Sequence, residues 1–384
     1  MADPVVVKPL YVDDQWRPTL RVAAVDQSRV SGLTHRFYRY PARFSPKFAG
    51  AAIDLFSNPG DLVLDPYMGG ATTIVEALVR KREVIGSDVN SLSMFLGRVK
   101  TTALTTQDRA ALSSWADEIV PSLSYWATPD DLTDYICERR THNLNLPQAR
   151  PMKKIIALAL RTLDSQLPST ASREFARCAL LNASQLFLNG RKSRATVDEF
   201  RTRLTAMSHE MLSSLTEFET LAPGSSPTAL LHCSAADLLS QEPFKSGRRA
   251  SLVVTSPPYP GIHMLYHRWQ VDGRRESPAP YWMANCSDGR GNSFYNFADR
   301  DAAAEDLYFA ESLKTLKGIR SVMGDGAVIV QMVAFREPVR QLRKYLANMS
   351  SASFEEMRSS KWQRRLWRDV PSRRWHASHK GKLN

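Results

Sequence analysis

The chain has 384 residues, of which 43% are hydrophobic and 23% are charged, a balance typical of a globular protein, and its formal net charge of +12 favours a polyanionic partner. It has no run of about 18 apolar residues and no secretory signal at its start, so we expect a cytoplasmic protein without a membrane-spanning segment. Its four cysteines lie far apart and show no zinc-ligand spacing, which weighs against a disulfide framework and against a metal site.

The first hundred residues predict an extension followed by alternating strands and helices. Residues 1–33 carry few periodic signals and are interpreted as an N-terminal extension. A helix is predicted over 46–58, where Asn58, Pro59 and Gly60 end it. A strand at 62–65, a glycine turn, a helix at 72–81 and a strand at 83–88 then follow, which is how a doubly wound parallel sheet begins.

The remaining chain predicts a long helical stretch and a return to strands. Residues 101–229 have 3.6-residue periodicity and few strand signals, so we interpret them as an inserted helical subdomain. Strands are predicted at 251–256 and 326–335, the second preceded by a helix at 306–323. Two further possible strands, which would form an antiparallel edge hairpin, lie near 353–359 and 372–378.

A glycine-bearing turn, Asp65 to Thr73, lies between a predicted buried strand and a predicted helix. Glycines let the backbone approach a ligand closely, and a helix N-terminus offers free N–H groups and a positive dipole end to a carboxylate. Asp88 ends the next strand 23 residues later, where an acid can accept hydrogen bonds from two ribose hydroxyls. The turn and the acid predict a cofactor site, and an ordinary Rossmann nucleotide site is the alternative.

A rigid segment, Thr255-Ser256-Pro257-Pro258-Tyr259, directly follows another apolar strand. Two consecutive prolines stiffen the backbone beyond the carboxyl end of a strand, where ligands bind in open α/β sheets, and they leave carbonyl groups without local N–H partners. An aromatic ring is held beside them. In isolation, the segment is equally compatible with a strand that ends in prolines and packs a tyrosine.

Together these segments resemble the amino-group DNA methyltransferases. Asp65 to Thr73 is similar to that family's cofactor motif, DPFxGSGTT, and TSPPY resembles its catalytic motif in the serine-headed form associated with N4-cytosine enzymes. Tyr40 to Pro46 resembles the family's YPAKF segment, whose aromatic closes over the cofactor, and Asp237 stands where the family carries an acid near the adenine ring. The cofactor-binding residues that the resemblance implies are Arg43, Phe44, Asp65, Pro66, Tyr67, Gly69, Gly70, Thr72, Thr73, Asp88, Val89, Asn90 and Asp237.

The resemblance covers residues 35–100 and 230–335, and two positions in it depart from the family pattern. Ala71 stands where the family usually has a second glycine, and Tyr67 replaces the usual phenylalanine. Neither change removes a group that the chemistry needs.

The resemblance implies an α/β, Rossmann-like fold of the S-adenosylmethionine-dependent methyltransferases. Such a fold has a mostly parallel seven-stranded sheet with an antiparallel edge hairpin, here with a helical insertion. The implied catalytic domain comprises residues 34–100 and 230–384, and the insertion comprises residues 101–229.

The activity that the resemblance implies is site-specific methyl transfer from S-adenosyl-L-methionine to the exocyclic N4 of cytosine in double-stranded DNA, with S-adenosyl-L-homocysteine as product. The N6 of adenine, an RNA base amine and an inactive DNA-binding homologue are the alternatives. Ser256 favours cytosine, and the RNA enzymes usually carry Asn or Asp at this position. No Pro-Cys dipeptide occurs, which weighs against the C5-cytosine enzymes, since these attack through a cysteine that follows a proline.

In the family's mechanism, acceptors hold the hydrogens of the target amine, whose lone pair is otherwise delocalised into the base. The Ser256 hydroxyl and the Pro257 carbonyl are these acceptors, and Tyr259 stacks on the flipped base. The implied catalytic residues are Ser256, Pro257, Pro258 and Tyr259, and the mechanism requires neither a covalent intermediate nor a metal. A prokaryotic cytoplasm or nucleoid is the implied location, a separately encoded restriction endonuclease is a candidate partner, and monomer and dimer stay open.

DNA contacts are predicted in residues 260–300, which mix basic with aromatic side chains in a composition suited to phosphate contact and base stacking. An ordinary surface loop is the alternative. From Phe335 onward, 13 Lys/Arg stand against 4 Asp/Glu, which adds basic charge near the C-terminus. The predicted DNA-binding residues are His263, His267, Arg268, Arg274, Arg275, Arg290, Arg191 and Lys192, and the aromatic candidates are Tyr266, Trp269, Trp282 and Tyr295.

Overall fold

The computed structural model of the chain describes residues 10–12, 15–40, 45–124, 126, 140–147, 149–190, 196–260, 268–271, 275–287 and 302–359. In chain order its strands are β1 (Leu10–Val12), β2 (Leu62–Asp65), β3 (Glu83–Ser87), β4 (Ala229–Leu231), β5 (Ala250–Thr255), β6 (Trp269–Val271), β7 (Arg275–Ser277), β8 (Met323–Gln331) and β9 (Met357–Ser359). Its α-helices are α1 (Trp16–Val25), α2 (Pro46–Phe56), α3 (Thr72–Val79), α4 (Ser91–Thr101), α5 (Thr106–Ser114), α6 (Val120–Ser122), α7 (Arg150–Gln166), α8 (Thr170–Leu188), α9 (Val197–Leu221), α10 (Ala279–Ala284), α11 (Ala302–Ser321) and α12 (Pro338–Ser351). A π-helical turn, Trp115–Ile119, joins α5 to α6, and 3₁₀ helices lie at Leu33–Phe37 and Ala235–Ser240.

A five-stranded sheet in the order β4-β3-β2-β5-β8 forms the centre of the fold, and every pair in it is parallel. In the β2–β5 pair, Val63 lies opposite Leu252 and Leu64 opposite Val253. Because the strands are parallel, their five carboxyl ends lie at the same edge of the sheet. The predicted α/β, Rossmann-like fold with a mostly parallel sheet is confirmed, and the described residues contain five of the seven predicted strands of that sheet.

The sheet separates two hydrophobic clusters, which explains why its strands are nearly continuous apolar runs. Along β2, Val63 packs into the cluster that contains α2, α3 and α4, whereas Leu62 and Leu64 pack into the cluster that contains α11 and α12. This is the alternation that a strand buried on both faces requires. All four residues of β2, including Asp65, are buried.

The predicted helical insertion consists of helices wherever the structure describes it between β3 and β4. Its helix α8 packs against α4 and α9, and α9 also contacts the 3₁₀ helix Leu33–Phe37. One continuous apolar cluster includes buried residues from both the sheet side and the insertion, such as Val63 and Phe175. The insertion therefore shares its core with the sheet, and its treatment as a separate subdomain stays a prediction.

The strand predicted at 326–335 begins earlier and ends earlier than expected, at Met323 and Gln331. Its pairing with β5 is irregular between Ala250 and Leu252, and Gly326 has φ +71°. Because of this bulge, the strand continues through a glycine-containing stretch whose sequence is typical of a turn.

The predicted edge hairpin is only partly described. β9 overlaps the strand predicted at 353–359, but it pairs in parallel with β1 in a separate two-stranded sheet. Residues 372–378 lie outside the described residues. The N-terminal extension thus contributes β1 and also α1, which packs against α2. In the part of the chain that the structure describes, no helix is both long and apolar enough to span a membrane.

One helical glycine controls how closely α11 approaches the 3₁₀ helix Ala235–Ser240. A Cβ atom on Gly318 would lie 2.3 Å from the Ala235 carbonyl oxygen and 2.6 Å from the Ala236 Cα atom. Since both are backbone atoms, we expect Gly318→Ala to lower the free energy of unfolding by about 2 kcal/mol despite the better helix propensity of alanine. Urea denaturation measures this. Lys317→Ala, an exposed position on the same helix, should change stability by less than about 0.5 kcal/mol, and equal losses would contradict the packing argument.

Candidate active site

The glycine turn that follows β2 is tightly packed. A Cβ atom on Gly69 would lie 3.0 Å from the Tyr40 ring, and one on Gly70 would lie 2.9 Å from the Tyr40 Cβ atom. Tyr40 itself is buried. Ala71 has φ +60°, a left-handed conformation that costs a non-glycine residue about 1–2 kcal/mol, which explains why the family prefers glycine at this position.

Charged side chains hold the turn through its backbone. Asp88, at the end of β3, accepts hydrogen bonds from the Gly69 N–H at 2.9 Å and from the Asn90 N–H at 2.9 Å. On the other side, the buried Lys100 ammonium donates to the Gly70 carbonyl at 2.7 Å. Burial raises the pKa of Asp88 in spite of these hydrogen bonds. The turn is therefore fixed before any ligand binds.

The rigid segment after β5 presents a serine hydroxyl with defined partners. Ser256 Oγ donates to the Met332 carbonyl at 3.2 Å and lies 2.5 Å from the Tyr259 hydroxyl. Ser256 has a single hydroxyl hydrogen and the Met332 carbonyl can only accept, so both contacts form together only with Tyr259 as the donor in the second. The Tyr308 hydroxyl donates to the Pro258 carbonyl at 2.8 Å. The serine oxygen thus keeps one lone pair for a further donor.

Direct hydrogen bonds join the two segments. The Thr255 hydroxyl donates to Asp65 Oδ1 at 2.6 Å, and the Thr73 hydroxyl donates to the Val254 carbonyl at 3.2 Å. The turn after β2 and the segment after β5 therefore face each other at one edge of the sheet, as the two motifs predicted. Their contact follows from the pairing of β2 with β5.

Asp65 is a buried carboxyl group with one unsatisfied oxygen. Its Oδ2 atom is buried and has no hydrogen-bond partner among the described residues. Burial raises the pKa of Asp65 to about 6, although hydrogen bonds from the Thr255 hydroxyl and the Tyr67 N–H oppose the shift. An ionised carboxylate with a free oxygen in a buried position attracts a cationic or N–H donor.

A family model described as DNA methylase, of the N6/N4 type, matches residues 11–93. This stretch contains the glycine turn and Asp88. Residues 11–93 are therefore similar to the N6/N4 DNA methylases, a likeness that covers less than a quarter of the chain. Members of this family depend on S-adenosylmethionine.

Three relatives each match a short stretch of the chain. The type II methyltransferase M.MvaI of Kocuria varians is 39% identical over 75 residues, which are 19% of this chain and 16% of the relative. The orphan methyltransferase M.BamHII of Bacillus amyloliquefaciens is 40% identical over 53 residues, 14% of this chain and 20% of the relative. A tRNA (guanine(10)-N2)-dimethyltransferase of Methanothermobacter thermautotrophicus is 27% identical over 88 residues, 22% of this chain and 26% of the relative. The match thus spans about a quarter or less of each relative.

The structure brings most of the residues predicted from the N6/N4 DNA methylase motifs to this edge of the sheet. Asp65, Gly69, Gly70, Thr73, Asp88, Asn90, Ser256, Pro258 and Tyr259 take part in the contacts given above, and Pro66, Thr72, Val89 and Pro257 adjoin them in the chain. Asp237 follows β4, two strands away from β2, and is exposed. The side chain of Tyr67 packs against the cluster that contains α11 and hydrogen-bonds Thr315. Arg43 and Phe44 lie outside the described residues.

The predicted DNA-contact residues are described only in part. Arg275 is exposed on β7, and Arg268 Nη1 lies 3.7 Å from Glu276 Oε2. The aromatic part of the prediction is wrong for Trp269 and Trp282, because both side chains are buried in the core and cannot stack on a base. The following predicted residues lie outside the described residues: His263, His267, Arg274, Arg290, Arg191, Lys192, Tyr266 and Tyr295.

Sequence reasoning named Asn90 as a site residue but missed its partners and Lys100. Asn90 donates to the Tyr40 hydroxyl at 3.1 Å and accepts from the Tyr281 hydroxyl at 2.9 Å, so it links the glycine turn to α10. Lys100 lies in a helix whose periodicity gave no sign that an ammonium group would be buried. A tyrosine at the start of the YPAKF-like segment was the available signal for Tyr40, but its contact with the turn depends on the fold.

The residues at the sheet edge fit S-adenosylmethionine. Its amino acid portion carries an ammonium group, which is the kind of donor that the unsatisfied Asp65 Oδ2 requires. Each Asp88 oxygen accepts one backbone N–H and retains acceptor capacity for a ribose hydroxyl. These residues would hold the cofactor between the glycine turn and the end of β3.

The raised pKa of Asp65 predicts how stability depends on pH. The folded carboxyl group holds its proton more tightly, with a pKa of about 6 against 3.8 in the unfolded chain. Its contribution to stability is therefore complete below pH 3.8 and is lost as the pH rises through 6. Relative to Asp65→Asn, we expect the wild-type free energy of unfolding to fall by about 3 kcal/mol between about pH 4 and pH 7. Urea denaturation of both proteins across this range tests it, and parallel curves would contradict the assignment.

Proposed function

We propose that the chain transfers a methyl group from S-adenosylmethionine to the exocyclic N4 of cytosine in duplex DNA, directly and in line. The observation that carries this proposal is the 2.6 Å hydrogen bond between Thr255 and Asp65. It joins Thr255, which ends β5 and precedes Ser256, to Asp65, which ends β2 and begins the glycine turn. A cofactor at one motif and a base at the other would then lie within bonding reach.

The exocyclic amine of a base needs help to act as a nucleophile, because its lone pair is delocalised into the ring. The Ser256 oxygen and the Pro257 carbonyl accept the two amine hydrogens and so localise the lone pair on nitrogen. Ser256 suits this role, since its own hydrogen is already directed to the Met332 carbonyl. S-adenosylmethionine supplies a methyl group on a positively charged sulfur when it is bound.

The target amine of a paired base is hidden in the duplex, so the base must flip out of the helix to be methylated. Tyr259 is then the stacking surface for the flipped base. Stacking on an aromatic side chain contributes about 1–3 kcal/mol per base. The Tyr259 hydroxyl contact with Ser256 keeps the ring beside the acceptor that the amine must reach.

Cytosine N4 is preferred over adenine N6 because the motif begins with serine, as in the N4-cytosine enzymes that it resembles. An RNA base amine is the second candidate, because one relative is named as a tRNA guanine-N2 dimethyltransferase. A homologue that binds DNA without methylating it is a third, and the strained Ala71 is what favours it.

The wider assignment is part of the same proposal. Residues 34–100 and 230–384 form the catalytic domain, 101–229 the helical insertion, and 260–300 the DNA-contacting segment. Double-stranded DNA in a prokaryotic cytoplasm is the substrate, and a separately encoded restriction endonuclease is the candidate partner.

One experiment separates these candidates. The purified protein is incubated with methyl-labelled S-adenosylmethionine and either duplex DNA or total tRNA, and DNA from cells expressing the protein is sequenced by long-read detection of modified bases. We expect label in DNA and N4-methylcytosine at a single sequence motif. N6-methyladenine would replace the base assignment, label in tRNA alone would replace the substrate, and binding of DNA without label would reject the enzymatic proposal.

A further inference from the structure

Helix α8 of the insertion carries amide side chains that contact the main chain of a distant segment. Asn182 Nδ2 donates to the Arg36 carbonyl at 2.8 Å and to the Phe37 carbonyl at 3.0 Å. Gln185 contacts both polar groups of Arg39, since its Nε2 donates to the Arg39 carbonyl at 3.0 Å and its Oε1 accepts from the Arg39 N–H at 3.3 Å. The path of residues 36–39 is thereby fixed along the helix.

The same face of α8 also holds the main chain of β6. Asn189 Oδ1 accepts from the Gln270 N–H at 2.9 Å, and the Gly190 N–H donates to the Gln270 carbonyl at 2.7 Å. Asn182 and Gln185 lie on α8, and Asn189 is the residue directly after its last turn. Their spacing of three and four residues places them on the same side of the helix. We call these three residues the amide row.

The two segments that the amide row holds belong to opposite sides of the site. Residues 36–39 lead directly to Tyr40, which packs against the glycine turn. β6 follows the catalytic motif and begins the described part of the segment to which we assign DNA contact. The segments also contact each other, because the Trp269 indole N–H donates to the Tyr38 hydroxyl at 3.0 Å, and both side chains are buried.

We propose that the amide row of α8 positions the cofactor side and the DNA side of the active site relative to each other. The inference rests on the proposed function and assigns the helical insertion a role in it. The contacts reach backbone atoms, so they fix where the two segments run whatever side chains these carry. Asn182 and Gln185 serve the cofactor side, and Asn189 serves the DNA side.

Packing of α8 does not depend on the amide row. The helix is held in the core by apolar side chains on its other faces, among them Leu180, Leu181 and Leu188, which are buried. The three amides are only half-buried. Replacing an amide with an apolar residue of similar size therefore removes the hydrogen bonds and leaves the helix in place.

The test compares Gln185→Met and Asn189→Leu with the wild type. The matched control is Gln166→Met, the same substitution at an exposed position on α7 of the insertion. Calorimetry measures the Kd for S-adenosylmethionine, steady-state methylation of duplex DNA measures KM and kcat, and hydrogen–deuterium exchange follows residues 36–40 and 269–271. Loss of one or two hydrogen bonds of this kind corresponds to about a tenfold change.

We expect Gln185→Met to weaken cofactor binding and Asn189→Leu to weaken DNA binding. Gln185→Met should raise the Kd for S-adenosylmethionine about tenfold and speed exchange at 36–40, with the KM for DNA within about twofold. Asn189→Leu should raise the KM for DNA about tenfold and speed exchange at 269–271, with the Kd for the cofactor within about twofold. Gln166→Met should match the wild type in every measurement.

Two results overturn the positioning role: wild-type constants in both variants, or the same losses in both, which would mean general loosening of the insertion. Failure of the proposed function gives a different pattern. If the wild type binds S-adenosylmethionine but methylates no DNA, the function fails, and the Kd and exchange at 36–40 in Gln185→Met still decide the positioning role. A wild type that binds no S-adenosylmethionine rejects both.

Discussion

Ser256→Ala is expected to lower kcat for methyl transfer by about 100-fold or more while the Kd for S-adenosylmethionine stays within about twofold. In the proposed mechanism, the serine oxygen accepts one hydrogen of the target amine, and this contact strengthens as the lone pair localises in the transition state. Alanine would leave the hydrogen without an acceptor. The glycine turn and Asp88, to which we assign cofactor binding, do not contact the Ser256 hydroxyl in the described residues.

A matched variant separates this role from a structural one. Tyr259→Phe removes the hydroxyl that contacts Ser256 but leaves both the serine acceptor and the aromatic ring. We therefore expect Tyr259→Phe to lose less than about tenfold in kcat. If Ser256 acted only by holding Tyr259 in place, the two variants would lose the same activity. Single-turnover methylation with labelled cofactor at saturating DNA gives the comparison, and equal losses would reject the acceptor role.

Much of the site could be predicted because its strands and turns have strong local signals. The apolar run at 62–65 is bounded by a breaker cluster on one side and by Asp-Pro on the other, and β2 has these same limits. Asp88 directly follows β3, and Ser256 directly follows β5. Since adjacent parallel strands end at the same edge, placing these residues at strand ends was enough to bring them together.

Features that depend on tertiary packing could not be predicted. Lys100 appears in the sequence as an ordinary helical lysine, yet its ammonium group is buried against the Gly70 carbonyl. Trp269 and Trp282 lie in a basic, irregular stretch, whose composition suggested base stacking. Both side chains are instead buried and pack in the core. The amide row looks like any set of polar residues on an exposed helix face, because its partners are backbone atoms, which leave no trace in side-chain patterns.

The pairing of β1 with β9 illustrates the same limit at the level of topology. Each strand has three residues, and nearly the whole chain separates them. Short strands with distant partners carry little periodic signal, and loop closure over such a length has no sequence signature. The sequence therefore gave no indication that β9 pairs with β1, whereas the hairpin partner predicted at 372–378 lies outside the described residues.

The second large effect is expected at Asp88. Asp88→Ala should raise the Kd for S-adenosylmethionine about 100-fold, while kcat at saturating cofactor falls less than about tenfold. The substitution removes the acceptor that we propose for the ribose hydroxyls, and it also leaves the Gly69 and Asn90 N–H groups without their partner. Calorimetry gives the Kd, and methylation at saturating cofactor gives kcat.

Asp237→Ala is the control for the loss of charge at Asp88. Asp237 lies at the same sheet edge and is an aspartate, but it is exposed and follows β4, so it does not contact the glycine turn in the described residues. Its removal should raise the Kd by less than about tenfold, because an exposed contact to the cofactor contributes about 1 kcal/mol. Equal increases of the Kd in the two variants would mean that negative charge at the sheet edge determines cofactor affinity. The hydrogen bonds between Asp88 and the glycine turn would then make no contribution to it. A loss of kcat in Asp88→Ala as large as that in Ser256→Ala would reject the division between a cofactor side and a chemical side.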